Sequence, residues 1–264
     1  MLAYSLYMET PFIHKEILPN KAYIIEKKVG ETPLECLERF RDAKNAKIPM
    51  TYAGRLDPMA SGKLIVLCGD ECKRKETYLG LDKEYEVEIL FGLETDTYDM
   101  LGMVTCVKNR TVEDVDVKKF DVKKYIGTFT QEYPAYSSKT VGGVQLHELS
   151  RKNELPEEMP TKEVEIYSFI EIERSQTSAK ELLDRILKSI ALVKGDFRQN
   201  EIKKRWKEVL TGEKFHKGHL FPILKIRVSC SSGTYMRSLA NQIGKDVGTG
   251  AFALSIHRTK VGSY

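Results

Sequence analysis

The stretch Tyr52-Ala53-Gly54-Arg55-Leu56-Asp57-Pro58-Met59-Ala60-Ser61-Gly62 decides how the rest of this 264-residue chain is read. Pro58 has no amide hydrogen and pushes Asp57 toward extended backbone, while Gly54 and Gly62 permit tight or left-handed turns. Such a segment is too irregular for a helix or a central strand. A helix-like run (32–44) precedes it, and the apolar run Leu64-Ile65-Val66-Leu67-Cys68 follows it. Binding and catalytic groups concentrate in shaped loops held between regular elements, which makes Asp57 the candidate chemical centre. The same residues also spell an ordinary Asp-Pro turn, and taken alone the turn preferences of these residues favour that reading.

Upstream, residues 1–20 carry Pro11 and Pro19 without a clear period and are expected to form an irregular arm, with a strand over 22–27. Thr32-Pro33-Leu34-Glu35 is a capping box with proline at the first helical position. Downstream, 83–91 alternates polar with apolar or aromatic residues, which predicts a half-buried strand with Tyr85, Val87 and Ile89 on one face. Residues 95–99 are polar and expected as a loop, 114–127 as a helix, 145–151 as a short helix and 162–173 as a strand. Ser178-Ala179-Lys180-Glu181 is a second capping box. Leu182, Leu183, Ile186, Leu187, Ile190 and Val193 follow it at helical spacing, and Ile202, Trp206, Val209 and Leu210 mark a second helix, so a helical hairpin is expected. A strand over 222–230, a helix over 232–247 stopped by Gly248 and a strand over 251–260 complete the chain. Helices and strands without regular βαβ alternation predict one α+β domain with a mixed, largely antiparallel sheet flanked by helices.

Composition narrows the function classes. Apolar residues make up 41% and charged residues 30%, ordinary for a globular protein. No apolar run approaches the roughly 20 residues that span a bilayer, and the N-terminus lacks a charged segment followed by a long apolar stretch. The expectation is a cytoplasmic protein without membrane contact. Cys36, Cys68, Cys72, Cys106 and Cys230 are scattered, and His216 and His219 have no thiolate or carboxylate cluster beside them, so no metal site is expected. Phosphate-loop, dinucleotide-loop, serine-elbow, zinc-deaminase and zinc-protease motifs are all missing. The net charge of +4 is uneven: residues 174–217 hold 12 Lys/Arg against 6 Asp/Glu, which leaves about −2 for the remainder. A basic patch on a near-neutral body suits a polyanion, and it equally describes a solvated helix face.

Chemistry then rests on a loop carboxylate, strand aromatics and the segment Ser231-Ser232-Gly233-Thr234-Tyr235-Met236-Arg237-Ser238-Leu239. Arg237 falls between Met236 and Leu239 near the sheet side of its helix. An arginine there is costly without an acidic partner, and Asp57 is the attractive candidate.

These residues carry a resemblance. The run from Gly54 to Leu64 resembles the G-x-L-D-P-x-A-x-G-x-L motif of the TruB family of tRNA pseudouridine synthases. Lys27-Lys28-Val29-Gly30-Glu31-Thr32-Pro33 resembles the family's K-P-x-G-x-T-S segment, with Lys28 at the usual proline. Lys83-Glu84-Tyr85 resembles its K-x-Y strand. Tyr133-Pro134-Ala135-Tyr136-Ser137-Ser138-Lys139 resembles the segment leading into the RNA-gripping thumb, and 232–239 resembles K-G-T-Y-I-R-S-L. The matches occur in family order between about residues 20 and 260.

The resemblance implies the pseudouridine synthase fold and cofactor-free isomerisation of uridine 55 in the tRNA T-loop. Asp57 would be the nucleophile, at uracil C6 or ribose C1′. Arg237 would pair with it, and Tyr85 would stack on the flipped base. Tyr235 and Ile256 would line the uracil pocket, Ile256 standing where leucine is usual, with Tyr52, Lys27, Lys83, Arg55 and Lys139 as further substrate contacts. It also implies a thumb-like insertion at about 125–152 and a grip on the tRNA T-arm; a single catalytic domain over 1–264 is the simplest count, and a monomer is expected because no extended apolar stripe lacks a core explanation. Four departures accompany it. Tyr52 replaces the family's base-flipping histidine, and Asn241-Gln242 replaces an acidic pair. The family's C-terminal PUA domain is not expected within these 264 residues, and the basic hairpin at about 174–217 has no counterpart. Two alternatives share these motifs: a non-catalytic tRNA-binding or folding module, and a synthase directed by guide RNA.

Overall fold

The computed structural model describes residues 7–8, 20–107, 122–213, 215 and 218–263. In chain order the first half contains β1 (Tyr7–Met8), β2 (Ala22–Lys27), α1 (Pro33–Ala43), β3 (Met50–Ala53), β4 (Ala60–Cys68), α2 (Lys75–Leu79), β5 (Lys83–Phe91), β6 (Leu93–Thr95) and β7 (Val104–Val107). The second half contains β8 (Gly127–Glu132), β9 (Thr140–Val141), β10 (Val144–Gln145), α3 (Leu146–Lys152), β11 (Thr161–Ser178), α4 (Ala179–Ile190), α5 (Gln199–Leu210), β12 (Leu220–Cys230), α6 (Met236–Val247) and β13 (Ala251–Val261).

Both capping boxes form. Thr32 and Ser178 each accept the backbone N–H three residues on, and Glu35 and Glu181 bond back to the cap residue. Gly248 ends α6 in the left-handed conformation that glycine adopts at no steric cost. The arm expected over 1–20 lies outside the described residues except for β1, which pairs parallel with β2, and Asn20. The helix expected over 114–127 falls largely outside them too: Val122–Tyr125 is a 3₁₀ turn and Gly127 opens β8.

The described residues form a nine-stranded sheet ordered β1-β2-β4-β13-β5-β12-β11-β8, with β3 also paired to β4. Pairing is antiparallel except β1 with β2 and β13 with β4, which gives the α+β architecture that mixed elements predict. The alternation in β5 sends Tyr85, Val87 and Ile89 to one face, where they pack with Leu239, Ala240 and Ile243 of α6. The opposite face carries Leu90, Phe252 and Leu254. The apolar stripes of α4 (Leu182, Ile186, Ile190) and α5 (Ile202, Trp206, Val209) cover it. Each such fully buried side chain contributes roughly 1.5–3 kcal/mol, so the helical hairpin is a wall of the core as well as a carrier of charge.

Two glycines show how closely the elements approach. A Cβ on Gly62, at φ +108°, would lie 2.3 Å from the Arg258 carbonyl oxygen. Gly62 therefore serves the contact of β4 with β13; the turn that its residue type suggests is not there, because β4 already begins at Ala60. A Cβ on Gly30, at φ +91°, would meet Leu192 at 2.5 Å, where the connection after α4 crosses behind the Asp57 loop.

Candidate active site

β3 and β4 are antiparallel, with Ala53 opposite Ile65, so the chain must reverse through residues 54–59. The irregular sequence there is what the reversal requires. The loop closes on itself through Ala60 N–H donating to the Asp57 carbonyl at 3.0 Å, and Gly30 N–H donates to the Pro58 carbonyl at 2.8 Å. Two buried cations fasten it from beneath. Lys27 Nζ donates to the carbonyls of Ala60 (2.6 Å) and Lys28 (3.0 Å). Arg258 donates to those of Gly54 (3.0 Å), Arg55 (3.2 Å) and Lys63 (2.7 Å). Carbonyl dipoles thus take the place of an acidic partner, and burial drives the Lys27 pKa down to about 8.

Asp57 emerges from this support. Arg237 Nε donates to Asp57 Oδ2 at 2.7 Å; the arginine side chain is 3% exposed and the aspartate 39%. Asp57 Oδ1 has no hydrogen bond from any described residue. The remaining Arg237 donors reach the carbonyl of Thr97 (2.7 Å) and that of Tyr136 (3.1 Å). A second carboxylate, Asp99 Oδ2, stands 3.8 Å from Arg237 Nε. Burial opposes the charge on Arg237, but Asp57 and Asp99 outweigh it and raise its pKa. Burial pushes Asp99 up to about 6; the Arg237 charge works against the shift and the Asp57 charge adds to it. Asp99 Oδ1 accepts from the Thr97 hydroxyl (2.7 Å) and from Leu101 N–H (2.9 Å).

A cavity of about 240 Å³ opens beside Asp57. Arg55, Leu56, Lys83, Tyr85, Tyr235 and Ile256 line it. β13 runs between β4 and β5, pairing Ile256 with both Ala60 and Val87, which is why residues from three distant segments meet there. Tyr235 is positioned through its backbone: Gln131 accepts from Tyr235 N–H (2.8 Å) and donates to its carbonyl (3.1 Å). Burial, with the Asp57 charge second, raises the Tyr235 pKa to about 12, and burial also raises that of Tyr85. Lys83 donates to the Leu79 carbonyl (2.7 Å) and the Ser232 hydroxyl (3.0 Å), and burial, followed by the charge of Arg258, lowers its pKa to about 8.

A second cavity of about 340 Å³ adjoins the first, sharing Arg55, Leu56, Asp57, Ser137 and Ser138. Tyr52 lines this second space only. Ser137 is 6% exposed, and its hydroxyl has no hydrogen-bond partner.

Two sequence expectations shift. Lys27 is fully buried and spent on loop carbonyls, so it braces the site and lines neither cavity. Lys139 lies 5.2 Å above the Tyr133 ring, outside both cavities, while Tyr133 itself packs edge-on to Tyr235. The polar run 95–99, expected as a loop, turns tightly after β6, with Thr95, Thr97 and Asp99 buried and Tyr98 at φ +62°. Asp99, Thr97, Arg258 and Ser137 were not legible as site residues. An arginine in a polar–apolar strand reads as solvent-facing, and nothing local to 95–99 announces a buried guanidinium beside it. Among the described residues no three metal-ligating side chains cluster.

A helix-flanked mixed sheet, with one carboxylate held by a buried arginine at the mouth of an aromatic-lined cavity, defines a catalytic class rather than a simple binding surface. Residues 41–189 match the TruB family pseudouridylate synthase (N terminal domain), and the chain belongs to that family. Two similar proteins carry the name tRNA pseudouridine synthase B. That of Borreliella afzelii is 29% identical over 252 residues, covering 94% of this chain and 71% of the relative. That of Parabacteroides distasonis is 29% identical over 256 residues, covering 95% and 87%. Among solved structures, a chain of a Cbf5–Nop10–Gar1 complex superposes with a TM-score of 0.51 at 18% identity over 90% of this chain. This chain spans 48% of that one, and the likeness is one of fold.

Proposed function

We propose that this pseudouridylate synthase isomerises uridine 55 in the T-loop of tRNA, with Asp57 as the nucleophile and no cofactor. The observation that carries the reading is the Arg237–Asp57 contact at the edge of the cavity lined by Tyr85, Tyr235 and Ile256. Isomerisation breaks the N1–C1′ glycosidic bond, turns the detached uracil and joins C5 to C1′; the C5 proton is lost and N1 gains one. A carboxylate with one oxygen oriented by a cation and the other unengaged suits a covalent step at C6 or C1′. The apolar and aromatic walls suit retention of the detached base. Extruding the base from a folded loop costs a few kcal/mol, which phosphate contacts offset. Arg55 at the cavity mouth and the exposed lysines of α5 are cations suited to that task. Tyr52, in the second cavity, offers a stacking surface at the position of the family histidine.

The test is tritium release from C5-labelled uridine in an unmodified tRNA transcript, without guide RNA. Wild type is expected to release tritium and Asp57→Ala to release none. Absence of release by wild type would refute the stand-alone enzyme, and release by Asp57→Ala would remove Asp57 from the chemistry.

A further inference from the structure

The helical hairpin leaves the sheet at Ser178 and returns at Leu220, and these two residues pair with each other in the β11–β12 ladder. The sheet would close without it. Its tip nevertheless reaches the site. Arg198, in the connection between α4 and α5, donates to Asp96 Oδ2 at 2.8 Å and lies 4.3 Å over the Tyr136 ring. Tyr136 supplies one of the two carbonyls that hold Arg237, and Asp96 immediately precedes Thr97, which supplies the other. Neither end of this bridge is loose. Asp96 Oδ1 also accepts from Met103 N–H at 2.8 Å, and Arg151 of α3 donates to the Asp196 carbonyl at 2.7 Å. Arg198 itself sits at φ +60°, a left-handed conformation that costs roughly 1–2 kcal/mol for a residue bearing a Cβ. Such strain persists where the surroundings over-determine it.

We propose that Arg198 is a positioning residue for the Arg237–Asp57 pair, clamping together the two chain segments whose carbonyl oxygens orient the Arg237 guanidinium. The ion pair to Asp96 fixes the turn that presents the Thr97 carbonyl and Asp99. The stack on Tyr136 fixes the segment that presents the other carbonyl. Only a planar guanidinium does both, because an ammonium reproduces the charge but not the flat stacking surface. The hairpin thereby couples a core-covering insertion to the geometry of the reacting carboxylate, whatever its lysines do toward RNA. The inference rests on the reading of Asp57 as that carboxylate.

The experiment compares wild type, Arg198→Ala and Arg198→Lys as full chains with two readouts. The first is kcat and KM for tritium release from a tRNA transcript. The second is hydrogen exchange of the Arg237 Nε–H by NMR, its signal identified by loss in Arg237→Lys. Alanine meets φ +60° at a cost similar to arginine, so the variant removes the side chain and little else. Arg198→Ala is expected to lower kcat on the order of tenfold to a hundredfold, as small misplacements of reacting groups do, with KM within about twofold. The Arg237 Nε–H should exchange about tenfold faster or more, and Arg198→Lys should recover part of both losses. If Arg198→Ala does not fold, the Arg198→Lys losses carry the same comparison. An unchanged exchange rate overturns the clamp. A raised KM with kcat intact also overturns it and makes Arg198 an RNA contact. If wild type releases no tritium, the proposed function fails while the exchange measurement still decides the clamp.

Discussion

Replacing Asp99 by asparagine should stabilise the protein at pH 8, an unusual outcome for a residue this close to a buried arginine. Burial lifts the Asp99 pKa from 3.8 to about 6. Its folded form therefore binds a proton more readily than its unfolded form. The stability it contributes is fully present below pH 3.8 and is lost as pH rises through about 6. At about 1.4 kcal/mol per pH unit, that gap amounts to about 3 kcal/mol of strain carried at pH 8. Asparagine mimics the protonated side chain. Its Oδ1 can keep the bonds from the Thr97 hydroxyl and Leu101 N–H. Its amide nitrogen would face Arg237 Nε across the present 3.8 Å gap, which offsets part of the gain. The expected net stabilisation is about 1–3 kcal/mol at pH 8, or roughly 2–4 °C of Tm per kcal/mol. It should shrink as pH falls through about 6 and be gone near pH 4, read by urea unfolding at each pH. In an Asp57→Ala background the gain should also shrink, because the Asp57 charge is one source of the raised pKa. Loss of stability at pH 8 would refute the reasoning and show that the Asp99 charge is needed to hold Arg237.

Two other expectations concern RNA binding and strand contact. Lys204 and Lys207 are exposed on α5. Replacing both by alanine should weaken tRNA binding and flatten the dependence of log Kd on log salt by about one per lost phosphate contact; an unchanged slope would make them solvated charge alone. Gly62→Ala should cost at least about 3 kcal/mol, because the new Cβ would lie 2.3 Å from the Arg258 carbonyl at φ +108°. A Tm within 2–3 °C of wild type would contradict the close approach.

The elements with strong local signals were legible. The two capping boxes, the alternation of β5 and the apolar stripes of α4 and α5 fold as their spacing predicts, because each signal acts within a few residues. Boundaries set by distant partners were not. α6 begins at Met236 rather than at residue 232, since Ser232 is occupied with Lys83 and Gln131 holds the Tyr235 amide. β11 extends to Ser178, five residues beyond the alternating pattern, because β12 pairs with it to the end. The chemistry divides the same way. Asp57 and Arg237 were paired on the argument that an arginine on the sheet side of a helix needs an acid, and they lie in contact. Lys27 was placed on the substrate by its motif, whereas it stands beneath the loop.

By itself, then, the chain's sequence determined the α+β content, the capped starts of α1 and α4, the loop that carries Asp57 and the need of Arg237 for an acidic partner. These follow from backbone sterics, periodicity and the cost of burying one charge, all of which operate locally or within a single residue. Only the tertiary structure decided that Asp99 shares Arg237 and that Arg258 and Lys27 hold the loop by its carbonyls. The same holds for the hairpin tip, which reaches the segments on either side of the guanidinium. Those outcomes depend on which groups lose water together, and the segments concerned, from 33 to 204 residues apart, meet only in the assembled sheet.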